Sequence, residues 1–469
     1  MPSAPTAPGT RFPERRRVLL AACVGAFMST LDMSIVNIAL PQIARDLPSS
    51  LAQVSWVVVA YLLTNASFLL TSGRLGDLLA PGRLYFLGLL VFTTASALCG
   101  ISTGWLELVA SRALQGLGTS LILALAPKLI ALSYEEGERG LPLGLFSTAF
   151  ASGISIGAPL GGLITSHWGW PYIFFINIPI CALALMAGGR PLARLSAGAT
   201  WNWRAVDLGG SLTLAGSLGL LLLALNRLQD LGWENGWTLI MLGLAGGLFG
   251  LLLFLERRQT FPLLHPELWQ RRAFCLAAAG ACLAPAAVLG IFFLLPFFFE
   301  QIYHYAPDQT GFLLAVMSVT SGSVAPLGGR LADRLGSLAV LRTSSALILT
   351  GLGSFLFTGP GSSAIGLAVR LALIGIGFGL FHAPNLNEVL RGVPPALVGL
   401  AASTITVLKN IGTLFGITLT VTVFAWGHQH QTCLTPGVCL ELSYFHLAFA
   451  VMALLGVINL VSNLITWKT

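Results

Sequence analysis

Apolar stretches about twenty residues long, broken by short polar joints, run the whole length of the chain. A membrane-spanning helix needs roughly 20 consecutive, mostly apolar residues. Fourteen segments meet that pattern: 18–40, 51–72, 83–103, 106–131, 141–165, 171–189, 207–226, 236–256, 272–299, 310–329, 339–358, 363–389, 396–425 and 443–466. The longest polar breaks are 190–206, 257–271 and 426–442, which leaves no room for a soluble domain. The pattern predicts an all-α polytopic membrane protein.

The basic residues orient the spans, because cytoplasmic loops collect Lys and Arg. With the N-terminal tail, 1–17, in the cytoplasm, twenty of the 25 Lys and Arg residues fall on the cytoplasmic side. Only Arg45 and Arg227 fall on the other, and Arg112, Arg370 and Lys409 lie within spans. An odd number of helices would scramble this asymmetry. Both termini are therefore expected in the cytoplasm. The basic "RFPERRR" before the first span imitates a secretory signal, but the apolar run from Val18 to Leu40 is too long and lacks a small-residue cleavage site. It reads as a retained helix.

The chain also repeats. "GRLGD" at 73–77 returns as "GRLAD" at 329–333, and "RALQGLGTSLILALAP" at 112–127 is echoed by "RLALIGIGFGLFHAP" at 370–384. Two six-helix halves related by a pseudo-twofold axis along the membrane normal give this spacing. The expected organisation is a six-helix bundle at 18–189, a linker with two extra spans at 190–271, and a second six-helix bundle at 272–469. The extra helices, 207–226 and 236–256, carry few charges, as suits helices facing lipid.

Composition agrees with the pattern. Hydrophobic residues make up 55% and charged residues 9%, against about 25% charged in a soluble domain. The net charge of +7 is spread over short loops, which excludes a nucleic-acid surface. Seven cysteines show no metal-ligand spacing, and no metal site is expected. Cys433 and Cys439, flanking "CLTPGVC", are either a disulfide or two thiols according to the compartment they face. No Gly-Lys-Ser/Thr occurs, so no phosphate-cradling loop for ATP is present. Clustered acids and histidines of a membrane enzyme are missing from the spans; "HQH" at 428–430 comes nearest and lies in an outer loop.

The polar residues inside spans carry the candidate chemistry. Asp32 sits in "LDMSIVNIALP". An ionised aspartate at a helix centre costs about 2.5–3.5 kcal/mol, so it must meet a wet cavity, a cation or a proton. It reads either as a proton or cation site or as a structural carboxylate holding Arg112 or a backbone break beside Pro41. Asn37 suits a helix–helix hydrogen bond. Trp56, Tyr61, Phe146 and Phe150 are candidate cavity walls, with packing as the alternative. In "FHAPNLNEVL", His382 and Asn385 are cavity candidates and Glu388 an interface residue. Lys409 binds an anion, pairs with Glu388 or snorkels. Glu300 and Gln301 read as rim residues. Gly153, Gly157, Gly161 and Gly162 lie at spacings that let helices approach closely.

Read together, these segments resemble the fourteen-helix drug:proton antiporter branch of the major facilitator superfamily. "LDMSIVNIALPQIARDL" is similar to its first-helix signature, and "WVVVAYLLTNASFLLTSGRLGD" to its second helix and loop 2–3 motif. "SRALQGLG" resembles its fourth-helix motif, and "GISIGAPLGGLITSHWGWPYIFFINIPI" its antiporter motif and sixth helix. Two motifs depart from the pattern: Leu78 and Ala80 replace an arginine and a glycine while Arg83 keeps the charge, and Ala158 precedes Pro159 where the proline usually comes first.

The resemblance implies a major facilitator fold, with two pseudo-symmetric bundles plus two additional central helices. It implies a role in proton transfer for Arg112, acting through a nearby acid or else standing as a fixed partner, which joins Asp32 as the proton-coupling candidates. It implies a cytoplasmic latch at Gly73, Asp77 and Arg83, mirrored by Gly329, Asp333 and Arg334. It implies shear along the Gly153–Gly162 seam, which includes Pro159. The expected function is proton-coupled export of small amphipathic compounds by a monomer in the cell membrane, without cofactor and driven by the proton gradient. A dedicated carrier for one metabolite, siderophore or lipid is the alternative, and a membrane enzyme or sensor a further one.

Overall fold

The computed structural model describes residues 14–135, 138–194, 208–231, 235–256, 266–391, 393–394, 397–430 and 440–465. Backbone in hydrocarbon has no water to bond, so a spanning chain must satisfy itself within helices or a closed barrel. The described residues form α-helices, with one 3-10 turn at Phe355–Phe357 and no strand. In order they are α1 (Arg15–Asp46), α2 (Leu51–Leu78), α3 (Pro81–Ile101), α4 (Trp105–Ser133), α5 (Gly140–Trp168), α6 (Tyr172–Phe175), α7 (Asn177–Arg194), α8 (Leu208–Leu231), α9 (Gly236–Glu256), α10 (Pro266–Trp269), α11 (Arg272–Tyr303), α12 (Pro307–Leu335), α13 (Ser337–Ser354), α14 (Ala364–Leu390), α15 (Val398–His430) and α16 (Leu440–Leu464).

Thirteen segments among the described residues are long and apolar enough to span. The remaining predicted span, 207–226, is α8, whose apolar stretch, Leu212–Leu225, is shorter. The predicted span 171–189 is interrupted between α6 and α7. Pro179 supplies no N–H to the Phe175 carbonyl, and the helix breaks there. Gly169, at φ +93°, makes the turn out of α5 with a backbone conformation side-chain-bearing residues rarely adopt. Cys433, Cys439 and the tail before residue 14 lie outside the described residues. The five described cysteines are free thiols.

The helix neighbours occur in two matching sets. α1 packs on α5, α7 and α4, while α2 and α3 pack on α4 and α3 on α7. Likewise α11 packs on α15, α16 and α14, while α12 and α13 pack on α14 and α13 on α16. The two sets meet where α5 lies on α12, α2 on α15 and α1 on α11. α8 covers the α2–α15 seam: Leu63 of α2 lies beside Gly219, and Thr422 donates to the Leu225 carbonyl. α9 packs on α8 and exposes Trp237, Leu239, Leu244 and Phe254, as expected of a helix facing lipid.

α1 begins and α16 ends at one face of the molecule, here the terminal face; the opposite one is the distal face. Contacts between the sets concentrate toward the distal face. A side chain at Gly162 of α5 would strike the Pro307–Asp308 backbone of α12, and one at Gly311 the Ala158 carbonyl. Arg45 at the end of α1 forms an ion pair with Glu300 near the end of α11. Toward the terminal face α5 stands apart. Nothing lies within 4 Å of where Gly144 or Gly140 would carry a side chain, and Leu141 and Leu145 are exposed. Along α5, then, the two sets touch toward the distal face and stand apart toward the terminal face.

Candidate functional site

Asp32 is completely buried near the middle of α1. Arg112, one helical stretch into α4, lies against it: Nη1 donates to Asp32 Oδ2 at 2.5 Å. The same Nη1 donates to Gln115 Oε1 at 2.5 Å. Gln115 follows Arg112 by three residues, so both project from one face of α4. Gln115 Nε2 donates to Asp32 Oδ1 at 2.9 Å and to Ser96 Oγ of α3 at 2.8 Å. Asn177, the first residue of α7, donates to Asp32 Oδ1 at 2.9 Å. The break between α6 and α7 is what brings it there.

Asp32 therefore accepts from Arg112, Gln115 and Asn177, and all three donate. Arg112 is satisfied in turn. Its Nε donates to the Val57 carbonyl at 2.9 Å, and its guanidinium stacks 4.2 Å from the centroid of the Tyr61 ring and 5.9 Å from that of Phe174. Tyr61 donates to the Ser29 carbonyl and accepts from Thr119. Five helices, α1, α2, α3, α4 and α7, supply the hydrogen bonds around one ion pair, and α6 adds the Phe174 ring.

The other sequence candidates fall into three groups. Tyr61 and Asn37 are not on an open wall: Tyr61 lies in the network, and Asn37 Nδ2 reaches the Phe292 carbonyl of α11 at 3.5 Å. Tyr61 is buried where α2 packs closely on α4, its backbone against Gly116, and Asn37 is buried where α1 meets α11. Trp56 and Phe146 are half-buried against the main apolar core, and Phe150 is 36% exposed.

His382 is half-buried on α14, with Phe378 edge-on at 4.5 Å. Asn385 is buried toward α11, its Oδ1 near Gly280. Lys409 is half-buried on α15 and does not pair with Glu388, whose ion pair is with Arg391 at 3.6 Å. Glu388 and Arg391 line a cleft of about 740 Å³ at the terminal face, with Asn387, Arg342 and Gly336.

Among the motif residues, Gly153, Gly157 and Gly161 face α1, where their missing side chains admit Thr30, Ser34 and Ile35, while Gly162 faces α12. Thr30 and Ser34 donate to the Phe150 and Ile154 carbonyls of α5. Pro159 lies within α5. Gly73 has open space around it, Arg83 is exposed, and the Asp77 side chain lies outside the description. Gly329 approaches Ala383, while Asp333 and Arg334 are exposed.

Sequence reasoning missed Gln115, Asn177 and Ser96. Gln115 was detectable as a second polar residue on the Arg112 face. Asn177 and Ser96 gave no such sign, because only the folding of α3 and α7 onto α1 brings them to Asp32.

The description Major Facilitator Superfamily matches residues 22–417. The riboflavin transporter RibZ of Clostridioides difficile is 33% identical over 413 residues, covering 87% of this chain and 88% of that one. The multidrug resistance protein Stp of Mycobacterium tuberculosis is 31% identical over 408 residues, covering 87% and 75%. The methylenomycin A resistance protein of Bacillus subtilis is 29% identical over 409 residues, covering 86% of each chain. Among solved structures, a bacterial homolog of the human lysosomal transporter Spinster, inward-facing and occupied, superposes with a TM-score of 0.66 at 15% identity, covering 97% of both chains. At that identity the likeness concerns the fold.

Proposed function

The chain belongs to the Major Facilitator Superfamily, and on that premise we propose that it is a proton-coupled exporter of small amphipathic compounds. That it is a multi-pass membrane transporter follows from the family and from its drug-resistance relatives. Proton coupling, export and the site residues are our own reading, and one observation carries it. A carboxylate and a guanidinium are buried together in the bilayer interior, within a network that three helices besides their own complete.

The mechanism follows from that geometry. In the distal-closed state every donor around Asp32 is engaged with it. A proton reaches Asp32 only after at least one donor withdraws. The donors sit on α4 and α7 while Asp32 sits on α1, so a change in how these helices pack exchanges the Arg112 bond for a proton. The Gly153–Gly161 seam, where α5 lies on α1 without intervening side chains, lets that repacking follow the opening and closing of the two bundles, 18–189 and 272–469. The energy is the proton gradient, no cofactor takes part, and the protein acts as a monomer. The terminal face is cytoplasmic and the membrane is the cell membrane, in keeping with the basic loops.

A second reading, a dedicated carrier for one metabolite, draws support from the riboflavin transporter among its relatives. Accumulation of fluorescent and radiolabelled compounds in energised cells separates the two. Export predicts lower accumulation of several unrelated amphipaths in expressing cells, abolished by a protonophore. A dedicated carrier predicts an effect on one compound. Accumulation unchanged for every compound, or insensitive to the protonophore, contradicts proton-coupled export.

A further inference from the structure

The charges inside the spans do not balance. Among the described residues, Asp32 is the acid deep within a spanning helix, and Glu388 lies in the last turn of α14 at the terminal face. Asp32 is held by Arg112, and Glu388 has its ion pair with Arg391. Of the interior bases, Arg370 donates to the Ser354 carbonyl near the distal start of α14. Lys409 remains. Its ammonium makes no ion pair or hydrogen bond with any described residue. It lies roughly 16 Å along α15 from the terminal-face start, at 1.5 Å per residue, too deep for a lysine side chain to snorkel out. A cation at that depth calls for a counter-charge.

Its surroundings suit an aromatic anion. His382 on α14, a helix in contact with α15, lies at a similar depth, roughly 12 Å from the terminal-face end of its helix. Phe378 and Phe381 flank the imidazole at 4.5 and 6.2 Å. The approach from the terminal face is open: Leu386, one turn beyond His382, is 40% exposed, and Thr406, just before Lys409, is exposed. The repeat agrees. Gly412 packs on the Cys282 backbone of α11 as Gly153 packs on the Phe27 backbone of α1. Lys409 thus takes the place that the exposed Phe150 takes in the first half.

We propose that Lys409, with His382 and Phe378 on the neighbouring helix α14, is the recognition site for the acidic group of an aromatic amphipathic anion, a carboxylate or phosphate, entering from the terminal face. This names a substrate class and rests on the transport reading.

The test is equilibrium binding to the purified full-length protein in nanodiscs, with 2-naphthoate and 1-pyrenebutyrate as probes and their carboxamides as uncharged matches. The wild type binds each acid at least about tenfold more tightly than its amide, about one charge-assisted contact. Lys409→Gln abolishes that preference and leaves amide affinity unchanged, and Lys409→Arg retains it. The assignment is overturned if the wild type binds neither acid, or binds acid and amide alike, or if Lys409→Gln discriminates as the wild type does. Unchanged amide affinity shows that the variant site is folded. Because binding is read without flux, anion preference without transport would refute the transport reading alone. Transport without anion preference would refute this site alone.

Discussion

Asp32 and Arg112 hold each other in a place where neither can meet water, and the consequences are specific. Removing one partner of a buried pair leaves the other charge uncompensated, at a cost of about 3–5 kcal/mol. Asp32→Ala and Arg112→Ala should each lower the melting temperature of the detergent-solubilised protein. The double substitution Asp32→Leu with Arg112→Met should melt above either single variant, because an apolar pair of similar volume restores the interior. Additive losses would mean the two residues do not depend on each other. Asn177→Ala removes one donor to a charged acceptor and should cost about 1.5–3 kcal/mol, measured in the same way. The charged members of this site were visible in the sequence because Asp and Arg are conspicuous in apolar runs. Asn177 was not, because its contact depends on a helix break and on a neighbour 145 positions away in the chain.

Helix α5 carries one of the contacts between the two sets of helices, and its glycines contribute to it unequally. A side chain at Gly162 meets backbone atoms of Pro307 and Asp308, which cannot rotate away. Gly162→Leu should therefore destabilise the distal-closed arrangement by about 1–3 kcal/mol, a shift of roughly 5- to 150-fold in a two-state equilibrium. Spin labels at Ser166 and Gln309 should move apart in that variant. Gly250→Ala on α9, where nothing lies within 4 Å, should leave the distance unchanged. An unchanged distance in Gly162→Leu would mean the α5–α12 contact does not hold the distal face closed. The spans themselves were legible, since twenty apolar residues can hardly be anything else. The small-residue spacing of α5 was legible too, but not its division of labour. Which glycine faces α1 and which faces α12 depends on how the helices are placed around α5, and spacing along one helix does not encode that.

For the molecule as a whole, the internal repeat announced the doubled packing scheme, and the short α8 stretch shows where counting apolar residues reaches its limit. No sequence pattern announced which face is closed, because apolar spans and motif spacing read the same whichever face closes. Distal closure is reinforced by exposed Arg45 and half-buried Glu300, a solvent-accessible pair that contributes about 1 kcal/mol or less. Arg45→Glu should raise labelling of a cysteine at Asn37 by an impermeant maleimide up to roughly fivefold, and Glu300→Arg in the same chain should reverse it. The central claim is that Asp32 exchanges Arg112 for a proton as the molecule changes faces. Its most direct test is substrate-driven proton flux in sealed proteoliposomes with an imposed pH gradient and a pH-sensitive dye inside, using lipophilic cations, neutral antibiotics and organic anions. Proton movement driven by at least one compound in the wild type and lost in Asp32→Asn is the predicted result; flux that persists in Asp32→Asn, or substrate equilibration without any proton movement, contradicts it.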